Sequence, residues 1–556
     1  MDRILNRLNN PIFFVVVLIL YCFLYILFNY GTTLGSLSSD VWGYQFLEIQ
    51  EKFQYWKDIP PSYNQSEYYL AFPLFYLLSP ALEHGVLGYH VGALVIIIAT
   101  FLITGVISKK FFGNWFAATF ASLLVLIPRF VFPTRTGLLD VGSFRGNILA
   151  LPFYILLCYY WIIYGLHKPR QNILLAICAG ILVYLYPPAG IITVGTCIIT
   201  ALIIYKKEKI KQVLIFSMVY LLVASPFLVN HFANPNTGML DETQVLERTE
   251  IVEQSEIVQY KFRGSGFLNT VEFGEVKRAI WDETLLVLVF VVSLGLIVRK
   301  KIPADDSFYS ITKITSWFVF ITIFFIAVIE IVNTFMIGRG SLPIFIDHLR
   351  TMRAVGIILL FQAVAFIVFI TGKGKMRNIL AGIIVFLLIL MPIRFSAPFI
   401  RNVVRVMVPN DIRTKYNLAP VVLAEDVLFY KNIEDISLWA RVNLDEDVKI
   451  FVFNDTQNEF RFKVLSHHNT NLTSKEGNLW VTSGFENSKR WYEERKRYEE
   501  VVNNAKTFRE IADFAKELDC THILIPRGKF LDLYNSSKQK IGEIIYENQD
   551  YTIVEF

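Results

Sequence analysis

The chain has 556 residues, of which 54% are hydrophobic, and a net charge of only +5 at pH 7. Apolar runs of membrane length recur along it, which excludes an ordinary soluble protein and indicates a polytopic membrane protein. The small net charge gives no indication of a nucleic-acid partner. Four of the five cysteines lie in apolar runs, so neither a disulfide framework nor a CxxC metal site is expected.

Eleven apolar runs are long enough to be predicted as membrane-spanning helices. They cover 11–30, 86–108, 114–133, 147–166, 172–187, 190–205, 212–231, 283–299, 313–336, 354–372 and 378–393. The first run is too long for a signal-peptide core and is interpreted as an uncleaved anchor. With eleven spans, the basic clusters of the loops all fall on one side, which the positive-inside rule makes cytoplasmic. We therefore expect a multi-pass protein of the cell (plasma) membrane, with its N-terminus inside and its C-terminus outside.

The long first outer loop, residues 31–85, contains the first candidate functional residue. Asp40 is the first acidic residue after the first span, and Trp42 follows it. Large apolar residues then recur at helical spacing, which predicts a helix lying in the headgroup layer with Asp40 at its N-terminal end. The alternative is that Ser38, Ser39 or Asp40 only caps this helix.

The second outer loop, 134–147, combines a carboxylate with arginines and glycines. Asp140 lies between Arg135 and Arg145 along the chain. One interpretation is a turn in which glycines provide the backbone freedom and the arginines extend to lipid headgroups. The other is a site in which Asp40 and Asp140 hold a metal or accept a hydroxyl proton while arginines bind phosphate.

A third outer segment, 338–353, carries further candidates in the sequence GRGSLPIFIDHLRTMR. These candidates are Arg339, His348, Arg350 and Arg353. The planar guanidinium of arginine suits the oxygen atoms of a lipid phosphate, so Arg350 and Arg353 are candidates for binding one. The alternative is that both arginines simply anchor a span at the anionic membrane surface.

From about Phe395 onward the charge rises and the membrane-length runs stop. The patterns predict buried strands at Val448–Phe453, Thr521–Ile525 and Tyr551–Glu555, and helices at Trp491–Val502 and Ala505–Leu518. We therefore divide the chain into a transmembrane part, 1–395, and a small extracytoplasmic α/β domain, 396–556.

This organisation resembles the GT-C superfamily of polytopic membrane glycosyltransferases, with one N-terminal span, a long outer loop with an Asp, many spans and an outer C-terminal domain. The stretch SSDVWGYQFLEIQ is similar to the first acidic motif of the oligosaccharyltransferase catalytic subunits, with Asp40 and Trp42 at the matching positions. PTRTGLLDVGSF resembles the second motif through Arg135, Gly137 and Asp140. The chain departs from that family after Asp140, and it lacks the acceptor-reading WWD-type motif.

The resemblance implies transfer of a sugar or oligosaccharide from a polyprenyl phosphate or pyrophosphate, with inversion, to a glycan, lipid or protein acceptor at the outer leaflet. Asp40 is then the expected base or acceptor-orienting group. Arg135, Arg350 and Arg353 are expected to bind the donor phosphate, and Asp40 and Asp140 to hold Mg²⁺ or Mn²⁺ if a metal takes part. The alternatives are a transporter or flippase of lipid-linked glycans, and a non-catalytic membrane anchor whose outer domain binds a partner.

Overall fold

The computed structural model describes residues 9–28, 86–127, 129–131, 134–136, 150–185, 189–232, 251, 273–303, 306–337, 351–371, 375–393, 412, 415, 425–453, 458–471, 485–537 and 541–556. Over these residues the protein is mostly helical, and a small sheet lies near the C-terminus.

Eleven α-helices of the first part are described. They are α1 Pro11–Phe28, α2 Val86–Phe112, α3 Trp115–Leu126, α4 Leu151–Ile155, α5 Pro169–Leu185, α6 Val194–Tyr205, α7 Ile210–Phe232, α8 Phe273–Val298, α9 Ser307–Ile337, α10 Met352–Ile370 and α11 Lys375–Ile393. Helix α4 continues into a π-helical segment, Leu156–Trp161, and a short 3₁₀ turn follows at Gly165–His167. A second π-helical segment, Ala189–Thr193, leads into α6.

Four described helices are long and apolar enough to cross a membrane, and they belong to α2, α7, α9 and α10. Seven shorter apolar helices coincide with the other predicted spans. Large apolar side chains are exposed along the helices, for example Ile12 at 68%, Leu222 at 75% and Phe320 at 64%. Such surfaces are suited to lipid, since water would not solvate them favourably.

The predicted span 114–133 is wrong at its C-terminal end. Helix α3 ends at Leu126, and the chain then forms the strands β1 (Arg129–Val131) and β2 (Thr134–Thr136), paired antiparallel. The reason is Pro128, which disfavours a helical conformation for the residue before it. Ile127 is accordingly extended, with φ −63° and ψ 126°.

Helix α10 lies at the centre of the helical part. It contacts α3, α4, α8, α9 and α11, and 89% of its apolar window is buried. A network of buried polar side chains connects α10 to its neighbours. The Gln362 amide donates to the Thr312 hydroxyl of α9 at 2.8 Å, and the Tyr159 and Thr315 hydroxyls lie 2.7 Å apart. Buried polar groups without partners are costly in an apolar interior, so this network fixes how α10 sits against α9.

The C-terminal part contains a five-stranded sheet in the order β4-β3-β5-β7-β6. Its strands are β3 Lys449–Val452, β4 Asn469–Thr470, β5 His522–Pro526, β6 Glu543–Glu547 and β7 Tyr551–Glu555. Strands β4, β3 and β5 are parallel, whereas β7 is antiparallel to both β5 and β6. The three strand predictions are confirmed to within one residue at either end.

Helices cover both faces of this sheet. They are α12 Glu425–Asn443, α13 Asn458–Ser466, α14 Phe485–Asn504, α15 Phe508–Glu517 and α16 Lys529–Ser536. Alternation along the strands divides the core, because successive side chains of a strand point to opposite faces. Phe451 packs with Phe508 of α15 on one face, whereas Ile450 and Val452 pack with Ile436 of α12 on the other.

The helical part and the C-terminal part share one apolar cluster. Leu465 of α13 and Trp491 of α14 are 4% and 3% exposed, and they belong to the same core cluster as the buried residues of α2 to α11. Apolar burial of this kind favours a fixed arrangement over a loose tether.

Candidate functional site

Most of the predicted site residues lie outside the residues that the structure describes. This is the case for Asp40, Trp42, Asp140, Arg145, Arg339, His348 and Arg350. Arg135 is described only through its backbone in β2, and Arg353 is fully described. The assignments made for the undescribed residues stay predictions.

Arg353 is buried at the start of α10. It is the second residue of α10, not an end-of-loop residue, and its side chain is only 4% exposed. This burial favours a role inside the protein over the alternative in which Arg353 anchors a span at the anionic membrane surface. Thr351, immediately before α10, is also fully buried, and its hydroxyl has no hydrogen-bond partner among the described residues. We call Thr351–Arg353 the α10 start.

The α10 start is buried, and a neighbouring helix extends past it. The Thr315 hydroxyl of α9 lies 3.3 Å from the side-chain oxygen of Gln362 in α10. It also lies 2.7 Å from the Tyr159 hydroxyl, which bonds to the carbonyl of Ile358. Thr315 is therefore at the height of Ile358 and Gln362 along α10. Phe308 stacks on Phe369 with centroids 4.6 Å apart, so α9 and α10 are antiparallel. Beyond Thr315, α9 runs on for about 33 Å, whereas α10 extends only about 9 Å beyond Ile358 towards its start. Helix α9 therefore rises about 24 Å past the α10 start.

Two other elements contact α10, namely the hairpin that carries the predicted Arg135 and helix α4. Strand β1 contacts both α8 and α10, and β2 places Arg135 opposite Phe130 in the hairpin register. The hairpin that carries Arg135 therefore lies against the helix that carries Arg353. Helix α4 also contacts α10, and its Tyr154 is fully buried.

A row of buried hydroxyl groups follows one face of α2. Thr100, Thr104 and Ser108 are fully buried, and none of their hydroxyls has a hydrogen-bond partner in the described part of the chain. Spacings of four residues keep them on one side of the helix. Phe111, seven residues after Thr104, lies on this side and contacts both Tyr159 and Phe361 at the centre of the helical part. The hydroxyl row therefore faces inward.

The two ends of the predicted outer loop 31–85 are held together. Near the end of α1, the Tyr25 hydroxyl lies 3.4 Å from Nδ1 of His90 near the start of α2, and their rings meet edge to face. Tyr21 donates a 2.7 Å hydrogen bond to the carbonyl of Leu126 at the end of α3. The end of α1, the start of α2 and the end of α3 are thus joined by side-chain contacts.

The chemistry that the α10 start can support is the binding of an anion. A helix N-terminus presents unpaired N–H groups and a partial positive charge, which stabilise negative charge nearby. A buried guanidinium adds a full charge in surroundings where electrostatic interactions are stronger than in water. A hydroxyl such as that of Thr351 can donate one further hydrogen bond.

The sequence interpretation missed Thr351, Tyr154 and the hydroxyl row of α2. The one available signal for the row was the spacing of Thr100, Thr104 and Ser108 within an apolar run. Such spacing is also common in ordinary helix packing, where these hydroxyls bond to a carbonyl of the preceding turn. Thr351 carried no signal, because the depth at which a helix begins cannot be read from its length.

No group of three or more His, Cys, Asp or Glu side chains that could hold a metal is present among the described residues. The two predicted metal ligands, Asp40 and Asp140, are not among those residues.

The fold defines a class: a mostly helical protein with several helices able to span a membrane and a small C-terminal α/β sheet. Comparison with protein-family models finds no match for this chain, and comparison with curated proteins finds none either.

Proposed function

We propose that this protein is a membrane glycosyltransferase that moves a sugar or oligosaccharide from a polyprenyl phosphate or pyrophosphate to an acceptor. The reaction takes place on the extracytoplasmic face, with inversion at the anomeric carbon. Eleven spans, with the N-terminus inside and the C-terminal domain outside, give the chain the topology for this reaction. The observation that carries the proposal is the burial of Arg353 at the start of α10.

Arg353 would bind the phosphate of the donor. Negative charge grows on the leaving phosphate as the glycosidic bond breaks, so a fixed guanidinium stabilises the transition state more than the ground state. The N-terminal end of α10 acts in the same direction. Arg135 and Arg350, from two neighbouring predicted outer segments, would extend this positive surface around the phosphate.

Asp40 would bind and activate the acceptor. A carboxylate hydrogen-bonded to the acceptor draws its proton away and raises its nucleophilicity at the anomeric carbon. A single displacement at that carbon inverts its configuration. Mg²⁺ or Mn²⁺, if used, would be held by Asp40 and Asp140, and no step above is assigned to it.

The proposed role of Arg353 is tested by measuring donor binding to Arg353 variants. Purified full-length protein would be titrated with a short-chain polyprenyl phosphate and a polyprenyl pyrophosphate as probes. Arg353→Gln should weaken binding of one or both by about tenfold to a hundredfold, the range for a lost charge-assisted contact. Arg353→Lys, which keeps the charge but loses the planar fork, should fall between this variant and the native protein.

Equal affinity of the native protein and Arg353→Gln for both probes would contradict the proposal. Folding is controlled independently by thermal unfolding of each variant in the same detergent. The transporter alternative predicts a different result, namely translocation of a lipid-linked glycan across vesicles without transfer to any acceptor.

A further inference from the structure

The end of the helical part opposite the α10 start carries a dense set of exposed positive charges. Three chain segments contribute to it: the end of α2, the turn and helix start at 165–171, and the turn between α6 and α7. Their basic residues are Lys109, Lys110, His167, Lys168, Arg170, Lys206, Lys207, Lys209 and Lys211. Glu208 is the one acidic residue in these described segments. We call this set the basic surface.

Contacts between the three segments show that they form one surface. The ammonium of Lys110 lies 4.1 Å and 4.7 Å from the ring centroids of Tyr164 and Tyr160, which joins α2 to the segment after α4. The Tyr205 hydroxyl donates a 2.9 Å hydrogen bond to the carbonyl of Ile162, which brings the end of α6 to the same segment. The 3₁₀ turn Gly165–His167 contacts both α5 and α7.

Further contacts hold together the helices and turns that carry the basic surface. The side-chain amide of Asn172 in α5 donates to the carbonyl of Gln212 in α7 at 2.8 Å, and its oxygen accepts from the indole of Trp161 at 2.8 Å. The His167 ring meets Tyr205 edge to face, with centroids 5.6 Å apart. The basic groups therefore belong to segments that pack against one another and not to independent loops.

Like charges repel one another, so a rigid base that gathers them needs a compensating anion. Burial, followed by the positive charge of Lys209, lowers the pKa of the exposed His167 imidazole. This effect of Lys209 places the α6–α7 turn within electrostatic reach of the 165–171 segment. Lys110, Lys168, Arg170, Lys206, Lys207 and Lys211 are exposed.

We propose that the basic surface binds the headgroups of anionic phospholipids in the leaflet at this end of the protein. The charge complementarity carries this choice of partner, together with aromatic rings that hold Lys110 in place. Tyrosine rings and snorkelling lysines are the side chains that proteins use at the level of the headgroups. The proposal does not depend on the glycosyltransferase reaction, because it concerns the opposite end of the helices from the α10 start.

The experiment compares lipid retention by native mass spectrometry. Full-length protein is reconstituted in nanodiscs of three parts phosphatidylcholine to one part phosphatidylglycerol, and the lipids that stay bound after ejection are counted. The test variant carries Lys168→Gln, Arg170→Gln, Lys207→Gln and Lys211→Gln. The matched control carries Lys496→Gln, Lys506→Gln, Arg509→Gln and Lys516→Gln in the C-terminal part, which removes the same charge.

We expect the ratio of phosphatidylglycerol to phosphatidylcholine retained by the native protein and the control variant to be about tenfold above the ratio in the bilayer, and the test variant to lose most of this enrichment. Raising the salt to about 1 M should remove it as well, since exposed charges are then screened within about 3 Å. Equal enrichment of phosphatidylglycerol in the test variant and the native protein would overturn the proposal. Displacement of the lipid by millimolar inorganic phosphate would also overturn it, by identifying a site for free phosphate.

Discussion

The rings of Phe111 and Phe361 meet edge to face with centroids 5.9 Å apart, although Phe111 is the second-last residue of one long helix and Phe361 lies in the middle of another. Helices α2 and α10 are therefore offset along their axes. The start of α10, with Arg353, is buried where neighbouring helices continue past it. This offset allows a charged side chain at a helix start to lie inside the helical part.

The contact between Tyr159 and Thr315 should be measurable as an interaction energy. Their hydroxyls are 2.7 Å apart, and that of Tyr159 also lies 3.2 Å from the carbonyl of Ile358. A double-mutant cycle with Tyr159→Phe and Thr315→Val should give a coupling of about 0.5–1.5 kcal/mol, typical of polar contacts between membrane helices. The measurement is unfolding of the purified protein by titration with SDS.

Thr334→Val provides the control for this cycle. The Thr334 hydroxyl bonds to the carbonyl of Glu330 in its own helix and is exposed. Combined with Tyr159→Phe, it should show a coupling near zero, because distant sites add independently. A coupling as large as that of Thr315 would mean that the cycle reports a general loss of packing.

Gly542 should tolerate no side chain. Its φ is +82°, and a Cβ there would overlap the carbonyl of Glu555 on the neighbouring strand β7. Gly542→Ala should therefore open the β6–β7 pair, raising amide exchange in Glu543–Glu547 at least roughly tenfold, which corresponds to about 1.4 kcal/mol. Hydrogen–deuterium exchange of the full-length protein measures this directly.

Gly528→Ala separates backbone strain from steric overlap. Gly528 also has positive φ, at +104°, but a Cβ there would meet no atom within 4 Å. Its replacement should cost only the backbone preference, about 1–3 kcal/mol for a residue at φ +104° and ψ −142°, and should leave exchange in the β6 strand near its native rate. Equal effects of the two replacements would mean that overlap with Glu555 is unimportant.

Acid should destabilise the C-terminal sheet through His468. Burial lowers the pKa of His468, an effect only partly offset by the hydrogen bond to the carbonyl of Ala440 and by the charge of Glu446. Burial likewise lowers the pKa of His522, the first residue of β5. The folded state therefore binds fewer protons than the unfolded state, so stability falls as the pH drops below the unfolded value of about 6.5.

The check is amide exchange of strands β3 and β5 at pH 7.5 and pH 5, corrected for the intrinsic rate. Native protein should lose protection at pH 5, and His468→Gln should lose less, because one of the two titrating groups is gone. Protection that falls equally in native protein and His468→Gln would assign the acid response to other groups.

Much of the fold could be predicted from the sequence, because apolar run length and strand alternation are local signals. Tyr551–Glu555 was predicted with its observed bounds, and each predicted span coincides with an apolar helix. The strands Asn469–Thr470 and Glu543–Glu547 were missed, because the first is only two residues long and the second is mostly exposed. The end of α3 was misplaced, because the apolar run continues past Pro128.

Little of the candidate site could be predicted in the same way. Arg353 was chosen for its charge at the end of a run, and its burial follows from the offset of α10 against α9, which depends on tertiary packing. The hydroxyls of Thr100 and Thr104, which have no hydrogen-bond partner among the described residues, cannot be recognised from hydropathy for the same reason. The assignments of Asp40 and Asp140 rest on the resemblance to GT-C glycosyltransferases and are open to direct test.

The most direct measurement is sugar transfer by Asp40→Asn. Purified native protein and the variant would be incubated with radiolabelled polyprenyl phosphate and pyrophosphate sugars and a membrane extract as the source of acceptors. Loss of a catalytic base that acts on the acceptor typically lowers the rate about 10²- to 10⁴-fold. We therefore predict transfer by the native protein and almost none by Asp40→Asn, with equal thermal stability and equal donor binding. Transfer at the native rate by the variant would contradict the assignment of Asp40, and no transfer by either protein from any donor would contradict the proposed function.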